Sequence, residues 1–429
     1  MSGAPAQPGR LPSENFGFDF LIVGAGFAGL VLAERITNEL GGTCLIVERR
    51  GHLGGNAWDQ IDAAGVRVHT YGPHYFRTNS PRIREYLDAF TSWHPVDYRI
   101  LSYTRGRFWN FPINLNTFEQ FLGRTSSTEE MEKWLATRRR GGEPANSEEV
   151  IVSQVGREFY ELFFEGYTLK QWKRHPRDLD PSVCGRIPIR TNRDDRYLDA
   201  SFQALPRDGY AAMFDRMAAA CGPRLHILLN TDYREILPAV RFRHMIYTGP
   251  LDDFFQFRHG PLPYRSLRFE PESFGPAELA ARTAIAGKPG FWQPAMQVNY
   301  PGGEPFTRIV EIKHATGQEI PNTTIVREYP QDFGPGCEPY YPIPAPDVNA
   351  LAAKYRTLAG EASKRPPLSR PQRASSHPSE GPHPVSFVGR LATYRYYNMD
   401  QVVGMALAEF ENLRLQINSA FAWRDPRAI

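Results

Sequence analysis

Apolar residues near the N-terminus form a short continuous run that ends at a glycine-rich turn. Residues 18–23 (FDFLIV) predict a buried strand, and residues 24–29 (GAGFAG) carry the spacing G-x-G-x-x-G. Residues 30–38 then predict a helix, and residues 44–47 predict a second strand that ends at Glu48. This order of strand, glycine turn, helix, strand and terminal acid predicts a dinucleotide-binding unit.

The candidate nucleotide contacts lie in the turn and at the end of the second strand. Glycines allow the backbone to approach a pyrophosphate closely, and the phosphates then lie at the positive end of the following helix. Glu48 stands where a carboxylate accepts hydrogen bonds from ribose hydroxyls. The expected contacts in the turn are Gly24, Gly26, Phe27, Ala28 and Gly29.

A second glycine pair follows this acid in residues 49–57 (RRGHLGGNA). A pair at this place resembles the extended fingerprint of FAD-binding proteins, where it passes beneath the pyrophosphate, and ordinary NAD domains lack it. We therefore expect FAD as the cofactor, although a plain surface turn is the alternative reading of the pair. The contacts expected here are Arg49, Gly54, Gly55, Asn56 and Ala57.

The hydrophobic spacing changes after residue 80. Residues 79–81 (NSP) offer a cap and a first-turn proline for one helix, and residues 147–167 place apolar side chains on one face of another. Residues 186–190 look extended. Residues 245–345 are dense in Pro, Gly, aromatic and β-branched residues, which favours an antiparallel sheet.

Later segments are expected to return to the nucleotide-binding unit. Residues 226–229 predict a strand, residues 386–390 predict a strand that ends in glycine, and residues 400–416 predict a final helix. The expected fold class is α/β, with an FAD-binding Rossmann-like domain, a helical domain and a twisted antiparallel β-sheet domain. The expected boundaries are 15–80, 203–246 and 385–429 for the FAD domain, 81–183 for the helical domain, and 184–202 with 247–345 for the sheet domain. Segments 1–14 and 364–384 are rich in small residues and proline, and we expect them to be flexible.

Composition narrows the functional classes. The chain has 429 residues, enough for two or three domains, and its 50 basic and 47 acidic residues give no reason to expect nucleic-acid binding. The four cysteines have neither metal-ligand spacing nor a disulfide pattern, which suits a reducing cytoplasm and predicts no metal site. No apolar run reaches the roughly 20 residues that a membrane span needs.

Seven short segments, in a fixed order, resemble the flavin-dependent UDP-galactopyranose mutases over roughly residues 17–418. They are YGPH (71–74), FPINLNTF (111–118), GYTLKQW (166–172), RIPIR (186–190), YTGP (247–250), EPYYP (338–342) and GRLATYRYY (389–397). The resemblance implies an enzyme that interconverts the six-membered and five-membered ring forms of a sugar attached to its nucleoside diphosphate. In that family reduced flavin N5 forms an adduct with the sugar, so FAD must first be reduced by a donor such as NAD(P)H. We also expect a homodimer.

The resemblance implies roles for individual residues. Arg186 and Arg308 stand at the family's two diphosphate-clamping positions, where a permanent charge with a planar donor fork suits a departing diphosphate. Arg186 lies in residues 178–190, which resemble the family's mobile lid. His74 stands in a loop that lies against the flavin ring.

Aromatic residues are expected to form the substrate walls. Phe163 and Tyr167 are four residues apart on one predicted helix face, where the family stacks uracil. Aromatic residues in such positions are also common in hydrophobic cores, and that alternative stays open. The other implied substrate contacts are Asn114, Thr168, Trp172, Tyr197, Asn299, Tyr340, Tyr341 and Tyr396, and the other implied cofactor contacts are Thr248, Gly249, Gly389, Arg390, Tyr397, Asn398 and Met399.

The chain departs from the family pattern near the expected sugar site. Arg77 stands where the family commonly has His, Phe306 where it has Tyr, and Asn398 where it has Asp. An amide both donates and accepts hydrogen bonds, whereas a carboxylate only accepts them, so Asn398 would meet a differently arranged sugar. We expect Arg77 to add positive charge at the substrate.

These departures leave the substrate open. UDP-galactose is the first expectation, and another nucleotide hexose, such as a GDP-hexose, is the second. Two other functional classes also stay open: an amine-oxidase-type oxidoreductase, which shares the FAD domain, and a non-catalytic nucleotide-sugar binder. The paired arginines argue against the amine oxidase, because an amine substrate does not require them.

Overall fold

The structure is a computed structural model that describes residues 17–139, 141–374 and 377–420. The segment 1–14, which we expect to be flexible, lies outside these residues. In chain order, the strands are β1 (Gly17–Val23), β2 (Cys44–Val47), β3 (Asp59–Ile61), β4 (Arg67–His69), β5 (Phe76–Thr78), β6 (Trp93–Pro95), β7 (Ile100–Thr104), β8 (Arg107–Phe111), β9 (Phe202–Pro206), β10 (Leu225–Leu228), β11 (Arg241–Tyr247), β12 (Tyr264–Phe274), β13 (Gln297–Asn299), β14 (Arg308–Val310), β15 (Thr323–Asp332), β16 (Tyr341–Pro342), β17 (Gln372–Arg373) and β18 (Val385–Phe387). The helices are α1 (Phe27–Arg35), α2 (Pro81–Asp88), α3 (Leu115–Leu122), α4 (Thr128–Ala136), α5 (Ser147–Phe159), α6 (Gly166–Trp172), α7 (Ser182–Gly185), α8 (Gly209–Ala220), α9 (Tyr233–Ile236), α10 (Leu251–Phe254), α11 (Pro276–Ala286), α12 (Lys313–Thr316), α13 (Pro346–Ser363) and α14 (Met399–Ala420).

A six-stranded sheet forms the nucleotide-binding layer. Strands β10, β2, β1 and β11 are parallel neighbours, β18 pairs in parallel with the second half of β11, and β17 pairs antiparallel with its start. Helices α14 and α8 pack against α1, and the two central strands β1 and β2 are almost entirely apolar, as is typical of covered strands. The two strands predicted around the glycine turn are confirmed, and β2 has the predicted bounds.

The second layer is a seven-stranded sheet in the order β16-β12-β15-β14-β13-β7-β8. All pairs in it are antiparallel except β13 with β7. Strands β7 and β8 come from residues 100–111, inside the region predicted to be helical. Their turn is Arg105-Gly106, and both of its residues have positive φ angles, 51° and 75°. Two residues with positive φ form a tight hairpin turn, which the helical reading of this region missed.

The helix predicted over residues 147–167 is interrupted. Gly156 has φ +80°, a left-handed conformation that breaks the helical path of α5. Residues Tyr160–Glu165 then form a π-helical turn, and α6 starts at Gly166. The extended segment predicted at 186–190 is also wrong at its start, because Arg186 has the helical angles φ −72° and ψ −14° at the end of α7.

The described part of segment 364–384 is bound to the nucleotide-binding layer. Strand β17 lies on the edge of β11, and the guanidinium of Arg365 donates to the carbonyl oxygens of Pro378 (3.1 Å), His383 (3.3 Å) and Ser379. This segment therefore closes one edge of the sheet. None of the helices in the described part of the chain is long and apolar enough to cross a membrane.

A buried histidine links the sheet to the last helix. Nε2 of His244 on β11 lies 2.8 Å from Oγ of Ser386 on β18, and this hydroxyl donates to Glu409 on α14. Because the hydroxyl proton goes to Glu409, Ser386 accepts its other hydrogen bond from His244, which is neutral. Burial, with a smaller contribution from His383, lowers the pKa of His244 to about 3.

This histidine makes the stability of the protein sensitive to acid. Below the pKa of about 6.5 of an unfolded histidine, the unfolded chain binds a proton that folded His244 does not, so stability is lost as the pH falls. The loss from His244 should reach about 2 kcal/mol at pH 5. The free energy of unfolding is measured with urea at pH 7.5 and at pH 5. Its decrease between the two pH values should be smaller by this amount in His244→Gln than in the wild type. An equal difference in both proteins would contradict the assignment.

Candidate active site

A cavity of about 630 Å³ lies at the carboxyl ends of the parallel strands. The last residues of β1, β2 and β11, which are Val23, Val47 and Tyr247, line it. Ligands of open α/β sheets bind at this edge, and the volume is in the range of small-molecule sites. The cavity continues past the seven-stranded sheet and α7, so it has a nucleotide end and a second, arginine-rich end.

The first glycine turn forms the floor of the nucleotide end. Gly24 has φ +102°, and a Cβ atom there would lie 2.1 Å from Oγ1 of Thr248. A Cβ atom at Gly29 would lie 2.0 Å from the carbonyl oxygen of Gly24. Gly29 therefore serves helix–strand packing and does not line the cavity, whereas Gly24, Gly26, Phe27 and Ala28 do.

The second glycine pair packs directly on the first turn. The N–H of Gly54 donates to the carbonyl oxygen of Ala25 at 2.8 Å, and a Cβ atom at Gly55 would lie 3.2 Å from Cα of Gly26. Two backbone segments without side chains thus meet at the cavity. This arrangement leaves the room that a pyrophosphate needs and fits a bound dinucleotide.

Glu48 is held at the edge of this cradle. Its Oε2 accepts from the N–H of Ala25 and its Oε1 from the N–H of Arg50, each at 2.9 Å. A carboxylate has about four acceptor positions, so both oxygens can still accept from ribose hydroxyls. Beyond it, Glu338 pairs with Arg50 (3.2 Å) and Arg49 (3.5 Å) and brings the segment before β16 to this end of the cavity.

Arg308 at the other end has a buried acidic partner. Strands β14 and β15 place Arg308 opposite Glu328, and Nε and Nη2 of the arginine donate to Oε2 of Glu328 at 2.8 and 2.6 Å. The side chain of Glu328 is 1% exposed, and that of Arg308 is 16% exposed. Sequence reasoning missed Glu328, because only the pairing of the strands shows that it faces Arg308.

Arg186 contacts a tyrosine instead of an acid. Its Nη1 donates to Oη of Tyr396 at 2.8 Å, and its guanidinium lies 4.9 Å from the centre of that ring. Burial opposes ionisation of Tyr396, but Arg186, with Arg390 and Arg308, outweighs burial and lowers the pKa of Tyr396. The phenol is therefore a stronger hydrogen-bond donor than an ordinary tyrosine.

Three aromatic rings form a wall beside these arginines. The ring centres of Tyr341 and Tyr396 are 5.6 Å apart, and Trp172 lies 6.2 Å from Tyr341 and 6.3 Å from Tyr396. The guanidinium of Arg390 lies 5.1 Å from the Tyr341 ring. All four residues line the cavity, as does Tyr197.

His74 is neutral and fixed in one orientation. Its Nδ1–H donates to the carbonyl oxygen of Gly72 at 2.8 Å, and its backbone N–H donates to Nδ1 of His69 at 3.0 Å. Burial lowers its pKa to about 3, with further contributions from His69, Arg390 and Arg308. A neutral ring with its proton on Nδ1 offers Nε2 as an acceptor.

The N-terminus of α14 closes the cavity. Tyr397, Asn398 and Met399 line it, and the backbone N–H of Asn398 donates to Oε1 of Gln401 at 2.9 Å. Burial raises the pKa of Asp400 in the first turn of the helix, and Arg77 on β5 opposes this rise. Arg77 also lines the cavity, as do Thr248, Gly249, Gly389, Asn56 and Ala57.

The structure places Phe163 in the core instead of the cavity wall. It is 4% exposed and packs on Trp109, Phe111 and Phe159. The predicted spacing assumed an α-helix, whereas Phe163 lies in the π-helical turn, whose wider coil rotates it away from the face of Tyr167. Tyr167 does not line the cavity either, although it lies close enough to Arg308 for the arginine to oppose the increase in its pKa caused by burial.

Four other expected substrate contacts have structural partners and do not line the cavity. Asn114 caps α3, because its Oδ1 accepts from the N–H of Thr117 at 3.1 Å. Oγ1 of Thr168 lies 3.6 Å from Sγ of Cys184, and Oδ1 of Asn299 accepts from Gln297 at 2.8 Å. Tyr340 is 4% exposed. Their residue types suit a sugar site, but these local contacts use their polar atoms or bury their rings.

Known proteins resemble this chain over most of its length. A profile for UDP-galactopyranose mutases matches residues 162–370, and one for NAD(P)-binding Rossmann-like domains matches residues 22–90. The probable UDP-galactopyranose mutase of Klebsiella pneumoniae is 35% identical over 396 residues, which cover 91% of this chain and 93% of the relative. The chain belongs to the UDP-galactopyranose mutase family. It is therefore a mutase, an isomerase, as the sequence motifs predicted.

Two further comparisons concern a second mutase and a solved structure. The dTDP-fucopyranose mutase of Escherichia coli is 29% identical over 397 residues, covering 90% of this chain and 96% of the relative. A crystal structure of reduced UDP-galactopyranose mutase has a TM-score of 0.68 with 16% identity and covers 96% of this chain and 97% of its own. This likeness confirms the predicted fold class, α/β with a Rossmann-like domain.

Removing the charge of Glu328 should destabilise the protein. In Glu328→Gln the size of the side chain is kept, but Arg308 loses the acid that offsets its buried charge, so the free energy of unfolding should fall by about 3 kcal/mol or more. Glu270→Gln is the matched control, because its pair with Arg268 is exposed and should contribute less than about 1 kcal/mol. Urea unfolding measures both values. Equal losses in the two variants would show that the pair does not stabilise Arg308.

Proposed function

We propose that this protein is a flavin-dependent mutase that interconverts the pyranose and furanose forms of a nucleoside-diphosphate hexose. The observation that supports this most is a single cavity with two different ends. Two packed glycine turns and Glu48 lie at one end, and Arg186, Arg308 and an aromatic wall lie at the other. The first end fits a dinucleotide, and the second fits a sugar joined to a diphosphate.

The residues of the nucleotide end fit FAD. The turns at Gly24–Gly29 and Gly54–Gly55 would approach its pyrophosphate, and Glu48 would accept from its ribose hydroxyls. Gly389 and the positive end of α14 would lie beside the remainder of the cofactor. Bound in its reduced form, FAD would supply the nucleophile for the anomeric carbon, with no net oxidation of the sugar.

The arginines would act on the leaving group. As the bond between the anomeric carbon and the diphosphate breaks, negative charge grows on the diphosphate, and Arg186 and Arg308 would offset it. The polarised phenol of Tyr396 would donate a further hydrogen bond. Trp172 and Tyr341 would exclude water and hold the sugar near the place where the bond must form again.

His74 would serve as a hydrogen-bond acceptor and not as an acid. Its pKa of about 3 keeps the ring neutral near pH 7, and its Nδ1 proton is used by Gly72. The ring therefore has no proton to give from Nε2. Proton exchange at the sugar would depend on the hydroxyls and the cofactor.

The first candidate substrate is UDP-galactopyranose, because the most similar relative named above, at 35% identity, is a probable UDP-galactopyranose mutase. A second candidate is the same reaction on another nucleotide hexose. The relative that is 29% identical acts on dTDP-fucopyranose, and Arg77 and Asn398 change the surroundings of the sugar. A GDP-hexose is the third candidate substrate.

The reduced protein should convert its substrate, and the oxidised protein should not. Dithionite-reduced and air-oxidised samples are each incubated with the furanose and pyranose forms of UDP-galactose, of a dTDP-linked 6-deoxyhexose and of a GDP-hexose, and the products are separated by chromatography. We expect conversion of the UDP sugar only with reduced flavin. Equal rates in both flavin states would contradict the proposed mechanism. Conversion of only the dTDP or GDP sugar would show that UDP-galactopyranose is not the substrate.

Loss of the Arg186 charge should slow turnover without releasing the cofactor. One charge-assisted contact is worth about 1.5–3 kcal/mol, so Arg186→Ala should lower kcat/KM by roughly 10-fold to 100-fold. The flavin absorbance per protein should stay unchanged, because the hydrogen bonds that shape the glycine turns and hold Glu48 do not involve Arg186. The control is Arg196→Ala, which removes an arginine of the same region that pairs with Asp194 outside the cavity. Equal activity of the two variants would remove Arg186 from the proposed clamp.

A further inference from the structure

Lys170, in the segment GYTLKQW, does not line the cavity but holds a loop beside it. Lys170 lies on α6, and its ammonium donates to the carbonyl oxygens of Glu304 (3.0 Å), Phe306 (3.1 Å) and Tyr300. These carbonyls belong to residues 300–306, which join β13 to β14 and which we call the β13–β14 loop. An ammonium has three N–H donors, so the side chain uses its full capacity on this one loop.

A glycine one turn earlier brings the same helix against the same loop. A Cβ atom at Gly166 would lie 2.2 Å from the carbonyl oxygen of Pro301. A side chain at this position would therefore separate α6 from the loop. The glycine allows the contact, and Lys170 provides the hydrogen bonds that hold it.

The β13–β14 loop leads directly to the arginine with the buried acid. Thr307 follows the loop, and its N–H (2.9 Å) and hydroxyl (3.3 Å) both donate to the carbonyl oxygen of Glu328. The next residue, Arg308, pairs with the Glu328 carboxylate. At its other end α6 finishes with Trp172 in the cavity wall. One short helix thus carries both the wall residue and the lysine that holds the loop before Arg308.

We propose that Lys170 is a positioning residue, which holds the β13–β14 loop against α6 and so fixes Arg308 relative to Trp172. The proposal rests on the proposed function, because it takes Arg308 to contact the substrate diphosphate. Burial lowers the pKa of Lys170 to about 8 against the attraction of Glu304, so the side chain still carries its charge and three donors at pH 7. An error of about 1 Å in the place of a catalytic group can cost about 100-fold in rate, which makes such a support important.

The test compares Lys170→Met with Lys170→Arg and with Lys133→Met, a control at an exposed lysine of α4. The backbone N–H groups of Tyr300 and Thr307, which donate to the carbonyl oxygens of Thr307 and Glu328, should exchange at least about 10-fold faster in Lys170→Met, because the loop loses the donor that holds it. Per bound flavin, kcat should fall by about 10-fold to 100-fold with a smaller change in KM, since the diphosphate charge grows in the transition state. Lys170→Arg keeps the charge and several donors, and should recover most of both properties.

The outcomes separate this inference from the proposed function. Unchanged exchange in the loop, or a kcat in Lys170→Met equal to that of Lys133→Met, overturns the role of Lys170. Lys170→Gln replaces the Met variant if the latter is insoluble, and should give an intermediate loss because its amide can still donate to the loop. Arg308→Ala is measured in parallel. A fully active Arg308→Ala would contradict the role of Arg308 in the diphosphate clamp. An inactive Arg308→Ala together with a normal Lys170→Met would contradict only the role of Lys170.

Discussion

The structure depends on how the repulsion between converging arginines is offset. Arg77, Arg186, Arg308 and Arg390 line one cavity, where a low dielectric strengthens their mutual repulsion. Each has a different local partner: Arg308 pairs with buried Glu328, Arg186 with the Tyr396 phenol, Arg390 with the Tyr341 ring, and Arg77 lies near Asp400. Only one of these partners is a buried carboxylate in direct contact. The remaining positive charge suits anionic ligands, and a dinucleotide and a nucleoside diphosphate each bring two phosphates.

Backbone geometry separates the places for these two ligands. Gly26 and Gly55 meet where no side chain fits, and they leave a cradle at the carboxyl ends of the parallel strands. Arg308 comes from the seven-stranded sheet and Arg186 from the end of α7, whereas Arg77 lies on β5 and Arg390 follows β18; all four line the same cavity as the cradle. A dinucleotide in the cradle would therefore lie beside the arginines that we propose for the substrate diphosphate. The neutral ring of His74, which is held by the carbonyl oxygen of Gly72, lines the same cavity.

Sequence reasoning was most successful where function depends on the backbone over a short distance. Strands β1 and β2, the glycine turns and Glu48 follow from about 40 consecutive residues whose spacing has a direct physical meaning. It was least successful where a side chain's partner is distant in sequence. Asn114 has the residue type of a sugar contact, yet it caps a helix, and Phe163 is turned into the core by a π-helical turn that the apolar spacing does not reveal. Strands β7 and β8 were missed because a two-residue hairpin turn within a region of helical spacing gives a weak signal.

By itself, the sequence determined the dinucleotide-binding unit, the α/β class and membership of a mutase family, because local glycine spacing and ordered motifs require no knowledge of distant contacts. Only the tertiary structure decided that Arg308 faces Glu328, that Arg186 reaches Tyr396 and that Lys170 holds the loop before Arg308. These pairs are separated by 20, 210 and at least 130 positions in the chain. Strand register and the docking of α6 and α7 bring them together, and no periodicity along the chain records which distant residues a folded backbone places side by side.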